Sequence, residues 1–142
     1  MIENIADFIQ HKLLTPSKPS ISCNFFNSFK KNNSFDERLR ESNRILLKYP
    51  DRVPIIVDNE VKNNQTCLKQ KYLVPKDITI SQFMFVLRKR FRIDANQGLY
   101  MIINGIIPAS NSLINHVYEN YKDPDNFLYI ILKTESTFGN NI

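Results

Sequence analysis

Apolar and polar residues follow two rhythms along this 142-residue chain, one typical of helices and one of strands. The helical rhythm is clearest after Thr79, where apolar side chains recur every three or four positions, at Ile80, Phe83, Met84, Leu87 and Phe91. Thr79 and Gln82 also have the spacing of a capping box, in which two side chains satisfy free amides of the first turn. This segment is therefore predicted to be a helix.

Two further helices are predicted. Ser34 and Glu37 repeat the capping-box spacing and are expected to begin a helix. That helix is expected to end near Lys48, because the residue before a proline, here Tyr49, is pushed out of the α region. A brief helix is expected over about 112–121.

Short runs rich in β-branched residues predict strands over residues 53–57, 68–75, 99–103, 106–107 and 127–132. Asn104-Gly105 is the favoured pair for a type I′ hairpin turn, because both central residues of that turn need positive φ. One helix followed by the order β-β-α-β-β-α-β predicts an α+β domain with a central helix packed on a mixed sheet, the ubiquitin-like β-grasp roll.

Composition then narrows the classes of function. The chain has 42% hydrophobic residues, three glycines, two cysteines and two histidines, which fits one globular domain and offers neither a disulfide framework nor a zinc site. We expect no metal and no cofactor. An enzyme is disfavoured, because no nucleophile is spaced with a base and no phosphate-binding loop is present. The chain has no membrane-spanning apolar run or secretory pattern, so we expect it in the cytosol or nucleus.

One dense basic run, RKRFR at residues 88–92, stands out within a mild net charge of +5. The solvated face of a helix explains it most simply. Anionic lipid or an acidic peptide is the alternative partner for this run. We expect no nucleic-acid partner, because the cluster is small and no nucleic-acid-binding motif accompanies it.

From Phe35 onward the chain resembles the autophagy-related protein 8 family, the GABARAP and light-chain-3 type of ubiquitin-like modifiers. The shared motifs are FDER at 35–38, KYPDRVPIIV at 48–57, KYLVPKDIT at 71–79, QFMFVLRKR at 82–90, NGIIP at 104–108, FLY at 127–129 and FG at 138–139. Phe29-Lys30 stands where the family begins a short N-terminal helix, so the resemblance implies a β-grasp roll with additional N-terminal helices. The resemblance implies a modifier domain over 28–139 and a C-terminal propeptide over 140–142, which leaves residues 1–27 as an N-terminal extension. We expect this extension to be flexible, because a proline- and serine-rich break follows Leu13. The alternative is a short amphipathic helix that docks on the domain or a membrane, since apolar residues recur at helical spacing over 2–13.

The resemblance also implies a conjugation site. In the family a cysteine protease cuts after a glycine, which here places the cleaved bond between Gly139, behind Phe138, and Asn140. E1-like and E2-like enzymes then join the new carboxylate to phosphatidylethanolamine on autophagosomal membranes. A glycine carbonyl is unhindered and therefore accessible to each nucleophile in turn. The nucleophiles belong to partner enzymes, so no catalytic residue is implied in this chain.

A second implied site is a groove for receptors and adaptors with an aromatic-x-x-aliphatic motif, bound by strand addition along the edge at about 68–74. The first pocket, for the aromatic side chain, maps onto Glu41, Ile45, Pro54, Ile56, Lys71, Leu73 and Phe127. The second pocket, for the aliphatic side chain, maps onto Tyr72, Val74, Pro75, Ile78, Phe83, Val86 and Arg90. Several of these would be core residues in any domain of this pattern, so Lys71, Leu73 and Arg90 carry the prediction.

Two functions stay open. The leading one is a lipid-conjugated modifier on autophagosomes and cytoplasmic vesicles that recruits receptors and adaptors. The alternative is an unconjugated interaction module for vesicle trafficking or attachment to microtubules through tubulin. Processing at Gly139 separates the two. Leu68 and Gln70 depart from the family pattern of an aspartate and a lysine, which bears on motif preference.

Overall fold

The computed structural model of the protein describes residues 25–59 and 71–135. In chain order these ranges contain α1 (Phe25–Asn32), α2 (Phe35–Lys48), β1 (Arg52–Asn59), β2 (Lys71–Pro75), α3 (Ile80–Arg90), β3 (Leu99–Ile102), α4 (Ile114–Tyr121) and β4 (Leu128–Thr134). Most of the predicted extension and the start of the second predicted strand lie outside the described residues. The predicted cleavage site between Gly139 and Asn140, together with Phe138 and the rest of the propeptide, lies outside them as well.

Both predicted capping boxes are confirmed. Ser34 Oγ accepts from the Glu37 amide at 3.2 Å, while Glu37 Oε1 accepts from the Ser34 amide at 2.7 Å. Thr79 and Gln82 make the equivalent pair of bonds at the start of α3, at 3.1 and 2.8 Å. Each box satisfies amides that the first helical turn leaves without an intrahelical partner.

The four strands form one mixed sheet in the order β2-β1-β4-β3. The first and last strands, β1 and β4, run parallel at its centre, with Ile55 opposite Leu128. β2 pairs antiparallel with β1, and β3 pairs antiparallel with β4. The two outer strands, β2 and β3, are therefore the edges of the sheet.

Alternation along the strands gives the sheet two different faces. The inner face carries Val53, Ile55 and Val57 of β1 into the main core, where α3 and α4 cover them. The outer face carries Ile56, which packs with Phe29 of α1 and Phe127 in a smaller second cluster. The helices before β1 and the helices after β2 thus pack on opposite sides of the sheet.

One prediction about element order needs correction. The type I′ turn is confirmed, with φ of 50° at Asn104 and 80° at Gly105, but the strand predicted after it is wrong. Only a single bridge joins Ile103 to Ile106, and Ile107 is 60% exposed. Pro108 comes directly afterwards and cannot donate a ladder hydrogen bond, which ends the pairing. The additional N-terminal helices implied by the family resemblance are confirmed, since α1 and α2 both precede β1.

Candidate functional site

The β2 edge has the geometry that strand addition requires. In the part of the chain that the structure describes, β1 is the only strand beside β2. Pro54 lies opposite Leu73 and has no N–H to donate, so these two residues form a pair without main-chain hydrogen bonds. The neighbouring pairs, Val53 with Val74 and Ile55 with Tyr72, are then the hydrogen-bonded ones. By the alternation of an antiparallel ladder, the main-chain groups of Lys71 and Leu73 then face the outer edge.

The predicted first-pocket residues of the sheet share its outer face. Lys71 lies opposite Ile56 and Leu73 lies opposite Pro54. Ile56 and Phe127 are fully buried and pack together with Phe29. The Phe29 and Phe127 rings meet edge to face, with centroids 5.3 Å apart, a favourable aromatic arrangement. Ile45 of α2 is also buried.

Lys71 is the charged member of this group, and its side chain is held on two sides. Its ammonium lies 3.7 Å from Glu41 Oε2 and 4.4 Å from the centre of the Phe29 ring. The Lys71 side chain is only 9% exposed, so the ion pair and the cation–π contact act where water screens them weakly. The three side chains fix a positive charge at the edge of an aromatic cluster.

The predicted second-pocket residues lie on the other side of β2. Tyr72 and Val74 point into the main core, where Ile78, Phe83 and Val86 also lie. The Tyr72 and Phe83 rings meet edge to face at 6.1 Å. Burial raises the pKa of Tyr72, and the Arg90 guanidinium partly opposes that rise. Pro75 and Arg90 are half-buried and mark where this group approaches the surface.

The buried carboxylate of Asp125 holds the main chain beside the first-pocket residues. Asp125 Oδ2 accepts from Arg38 Nε at 3.0 Å and from the Tyr129 hydroxyl at 2.6 Å, while Oδ1 accepts from the Phe127 amide at 2.9 Å. Burial, followed by the hydrogen bond to Asp125, raises the pKa of Tyr129. The carboxylate therefore fixes the main chain at Phe127, a predicted pocket residue.

The same network fastens α1. Arg38 Nη1 donates to the carbonyl oxygens of Lys30 at 3.4 Å and Asn33 at 3.1 Å, at the C-terminal end of that helix. Lys30 adds an ion pair to Asp123 at 3.5 Å and lies 4.4 Å from the centre of the Tyr129 ring. These bonds hold α1 where Phe29 completes the aromatic cluster.

Phe29, Arg38 and Asp125 were not among the predicted pocket residues. For Phe29 a signal existed, because the Phe29-Lys30 pair was matched to the N-terminal helix of the family. Arg38 belongs to the FDER motif at 35–38, but no local pattern pairs it with Asp125, which lies 87 residues further along the chain. Within the described ranges, no cluster of three or more His, Cys, Asp or Glu side chains is arranged to hold a metal ion. None of the helices in these ranges is both long and apolar enough to cross a bilayer.

A mixed sheet with a parallel central pair, a helix across its inner face and two helices before β1 defines a ubiquitin-like β-grasp protein with an N-terminal helical extension. A family model described as "Autophagy protein Atg8 ubiquitin like" matches residues 37–139. This chain belongs to the Atg8 family of ubiquitin-like autophagy proteins.

Sequence relatives and solved structures support the membership of this family. Autophagy-related protein 8e of Arabidopsis thaliana is 43% identical over 112 residues, covering 78% of this chain and 92% of the relative. Autophagy-related protein 8 of Schizosaccharomyces pombe is 42% identical over 112 residues, covering 78% and 93%. The crystal structure of Trypanosoma brucei ATG8 matches with a TM-score of 0.70 and 35% identity, covering 78% and 97%. Plasmodium falciparum Atg8 in complex with a P. falciparum Atg3 peptide matches with a TM-score of 0.65 and 30% identity, covering 73% and 93%.

Proposed function

We propose that this protein is a modifier of autophagy that is conjugated to phosphatidylethanolamine through Gly139, after a cysteine protease cuts between Gly139 and Asn140 and removes residues 140–142. Membership of the Atg8 family and the Phe138-Gly139 sequence support this proposal. An E2-like partner is supported by the P. falciparum relative, which is bound to an Atg3 peptide. The protein is then a substrate of E1-like and E2-like enzymes, and it moves between the cytoplasm and the membranes of autophagosomes and vesicles.

We infer that the conjugated protein recruits receptors and adaptors through an aromatic-x-x-aliphatic motif that pairs with β2. The observation that carries this inference is the edge strand whose outward main chain belongs to Lys71 and Leu73. Main-chain hydrogen bonds along such an edge supply affinity, and pockets on the two sides of the strand supply specificity. The aromatic side chain of the motif goes to the outer-face group with Lys71 and Phe127, and the aliphatic one to the group with Tyr72 and Arg90.

Lys71 also suits a motif with acidic flanking residues. Its charge is held in place by Glu41 and Phe29, so little further side-chain entropy is lost when a ligand carboxylate approaches. Because the Lys71 side chain is only 9% exposed, its removal is expected to act chiefly on the dissociation rate of the motif.

The groove is tested with Lys71→Ala and a matched control, Lys122→Ala. Lys122 makes the same two kinds of contact on the surface away from β2, an ion pair to Glu119 at 3.3 Å and a cation–π contact to Tyr118 at 5.3 Å. We expect Lys71→Ala to weaken a motif peptide about tenfold in calorimetry, in the range of a moderate interface residue, and Lys122→Ala to leave the affinity within about twofold. Equal affinity of the two variants would overturn the assignment of this edge.

Leu73→Ala is a poor choice for that experiment, although Leu73 belongs to the predicted pocket. Its side chain is only 2% exposed, so truncation also opens a cavity and costs about 2–5 kcal/mol of stability. A loss of peptide binding would then mix the removal of a contact with partial unfolding.

Conjugation is tested by the intact mass of the protein recovered from membrane and soluble fractions, beside a Gly139→Ala variant. We expect a membrane form that ends at Gly139, lacks Asn140 and the residues after it, and carries the mass of phosphatidylethanolamine. We expect that form to be absent in the variant. Full-length soluble protein alone, during starvation as well as growth, would favour the unconjugated module for vesicle trafficking or tubulin attachment.

A further inference from the structure

The basic run at 88–92 takes part in neither proposed pocket except through Arg90. A shallow groove of about 470 Å³ lies at the C-terminal end of α3, and Phe85, Arg88, Lys89 and Arg92 line it together with Ile93 and Asp94. At about 100° per residue Phe85, Arg88 and Lys89 fall on the side of α3 that faces away from Phe83 and Val86, and Arg92 lies in the turn directly after the helix. The groove is therefore separate from the β2 edge and its motif pockets.

The groove is cationic, and its charges are available. Arg88 Nη1 donates to the main-chain carbonyls of Asp94 at 2.7 Å and Gln97 at 2.8 Å, so its charge meets no carboxylate there. Lys89 and Arg92 are exposed and make no ion pair with any residue that the structure describes. Asp94 contributes the one carboxylate of the lining, against three cationic side chains.

An aromatic ring accompanies these charges. Phe85 is 41% exposed on the same side of α3, and the Lys89 ammonium lies 4.7 Å from the centre of its ring. Exposed cations around an aromatic ring are the composition of surfaces that lie in the headgroup region of a bilayer. The solvated face of a helix explains the cations, whereas the interface of a bilayer also offers the Phe85 ring an apolar environment.

The groove lies at the end of the molecule from which the C-terminal segment departs. The loop that lines the groove continues to Gly98, whose carbonyl accepts from the Glu135 amide at 3.2 Å. Gly139 is only four positions beyond Glu135, and a chain of that length spans at most about 14 Å. A lipid attached at Gly139 therefore keeps the bilayer within reach of this end of the domain.

From these observations we propose that the α3 groove docks on an anionic lipid surface, with Lys89 and Arg92 on the headgroups and Phe85 at the level of the interface. This inference rests on the proposed lipid conjugation for its orientation, but the groove's own affinity for anionic lipid does not need conjugation. An acidic peptide would satisfy the cations alone, whereas a bilayer surface also accommodates the exposed ring and the nearby chain end.

The test uses the full chain with Gly139→Ala in every arm, so that conjugation cannot contribute. Partition onto vesicles of phosphatidylcholine and phosphatidylserine is measured by sedimentation, with pure phosphatidylcholine vesicles alongside. Lys89→Gln/Arg92→Gln removes two charges from the groove. Arg40→Gln/Arg44→Gln removes two exposed charges from α2, which packs on the opposite side of the sheet, and leaves the same net charge.

Loss of two cations near an anionic surface corresponds to a roughly thirtyfold weaker partition. We expect that loss for the groove variant, a much smaller loss for the α2 control, and little binding to phosphatidylcholine. Phe85→Ser should weaken partition further at unchanged charge. Equal losses in the two double variants would show diffuse charge attraction and overturn the proposal. The proposal would also be overturned if an acidic peptide bound in a manner that depends on Lys89 and Arg92 while binding to vesicles did not depend on them. The mass experiment on Gly139 reports on conjugation separately, so either idea can fail alone.

Discussion

Replacing Asp125 by asparagine should destabilise the domain more than any surface change of the same kind. The substitution keeps the size of the side chain and removes its charge. Arg38 then retains a guanidinium on a side chain that is 10% exposed, with no carboxylate to balance it. The Tyr129 hydroxyl and the Phe127 amide compete for the single remaining carbonyl oxygen.

The magnitude of this effect depends on burial. Removing one partner of a buried ion pair costs about 3–5 kcal/mol, since the other charge stays desolvated. Asparagine still offers one acceptor, so we expect the lower end, about 3 kcal/mol, out of a total stability of about 5–15 kcal/mol for a domain. Asp51→Asn is the matched control. Asp51 pairs with Arg52 at the same 3.0 Å but is 72% exposed, and such a pair contributes less than about 1 kcal/mol.

Urea unfolding followed by circular dichroism measures both free energies. We expect the midpoint to fall for Asp125→Asn at an unchanged m-value, and Asp51→Asn to match the unsubstituted protein. Adding Arg38→Met to Asp125→Asn removes the uncompensated charge and should recover part of the loss. If Asp125→Asn costs no more than Asp51→Asn, the network does not support Phe127 in the way described.

Three further outcomes are expected. Thr79→Ala removes the cap of α3 and should cost about 1 kcal/mol in urea unfolding, with Ser81→Ala, an exposed position in the same first turn, as its control. Gly105→Ala places a Cβ at φ of 80° and should cost about 1–2 kcal/mol, while an alanine at exposed Ile107 should cost far less. Burial raises the pKa of Tyr118 to about 12, above the value of about 10 for an unfolded tyrosine. The contribution of Tyr118 to stability should therefore be constant below about pH 10 and fall between about pH 10 and 12. Tyr118→Phe should make that fall in the free energy of unfolding shallower, as measured by unfolding curves across this pH range.

The features that sequence predicts best are those that a few neighbouring residues determine. Ser34 with Glu37, and Thr79 with Gln82, predict helix starts because each box is closed by side chains three positions apart. Asn104-Gly105 predicts its turn because both residues tolerate positive φ. The prediction of a second strand in that hairpin failed because pairing also depends on the residues beyond the turn, where Pro108 has no N–H to offer.

The residues that support the candidate site could not be predicted, because the contacts that position them join distant parts of the chain. Arg38 meets Asp125 across 87 residues, and no local pattern shows that the arginine of the FDER motif pairs with this distant carboxylate. Phe29 lies where the family resemblance implies a short helix, but no local pattern predicts that its ring packs on Phe127. The pocket residues themselves came from the family motifs, and their role in binding stays a prediction, as does cleavage between Gly139 and Asn140.

The central place of β4 in the sheet sets the order in which this protein is completed during synthesis. Ile55 pairs with Leu128, far along the chain, so β1 leaves the ribosome long before the strand that covers its second edge. Until Leu128–Thr134 emerges, a nascent chain holds only the β1–β2 pair, with one side of an apolar strand open to other chains. The sheet therefore closes only after β4 has been synthesised, and a chain that stops short of β4 lacks both a finished sheet and Gly139.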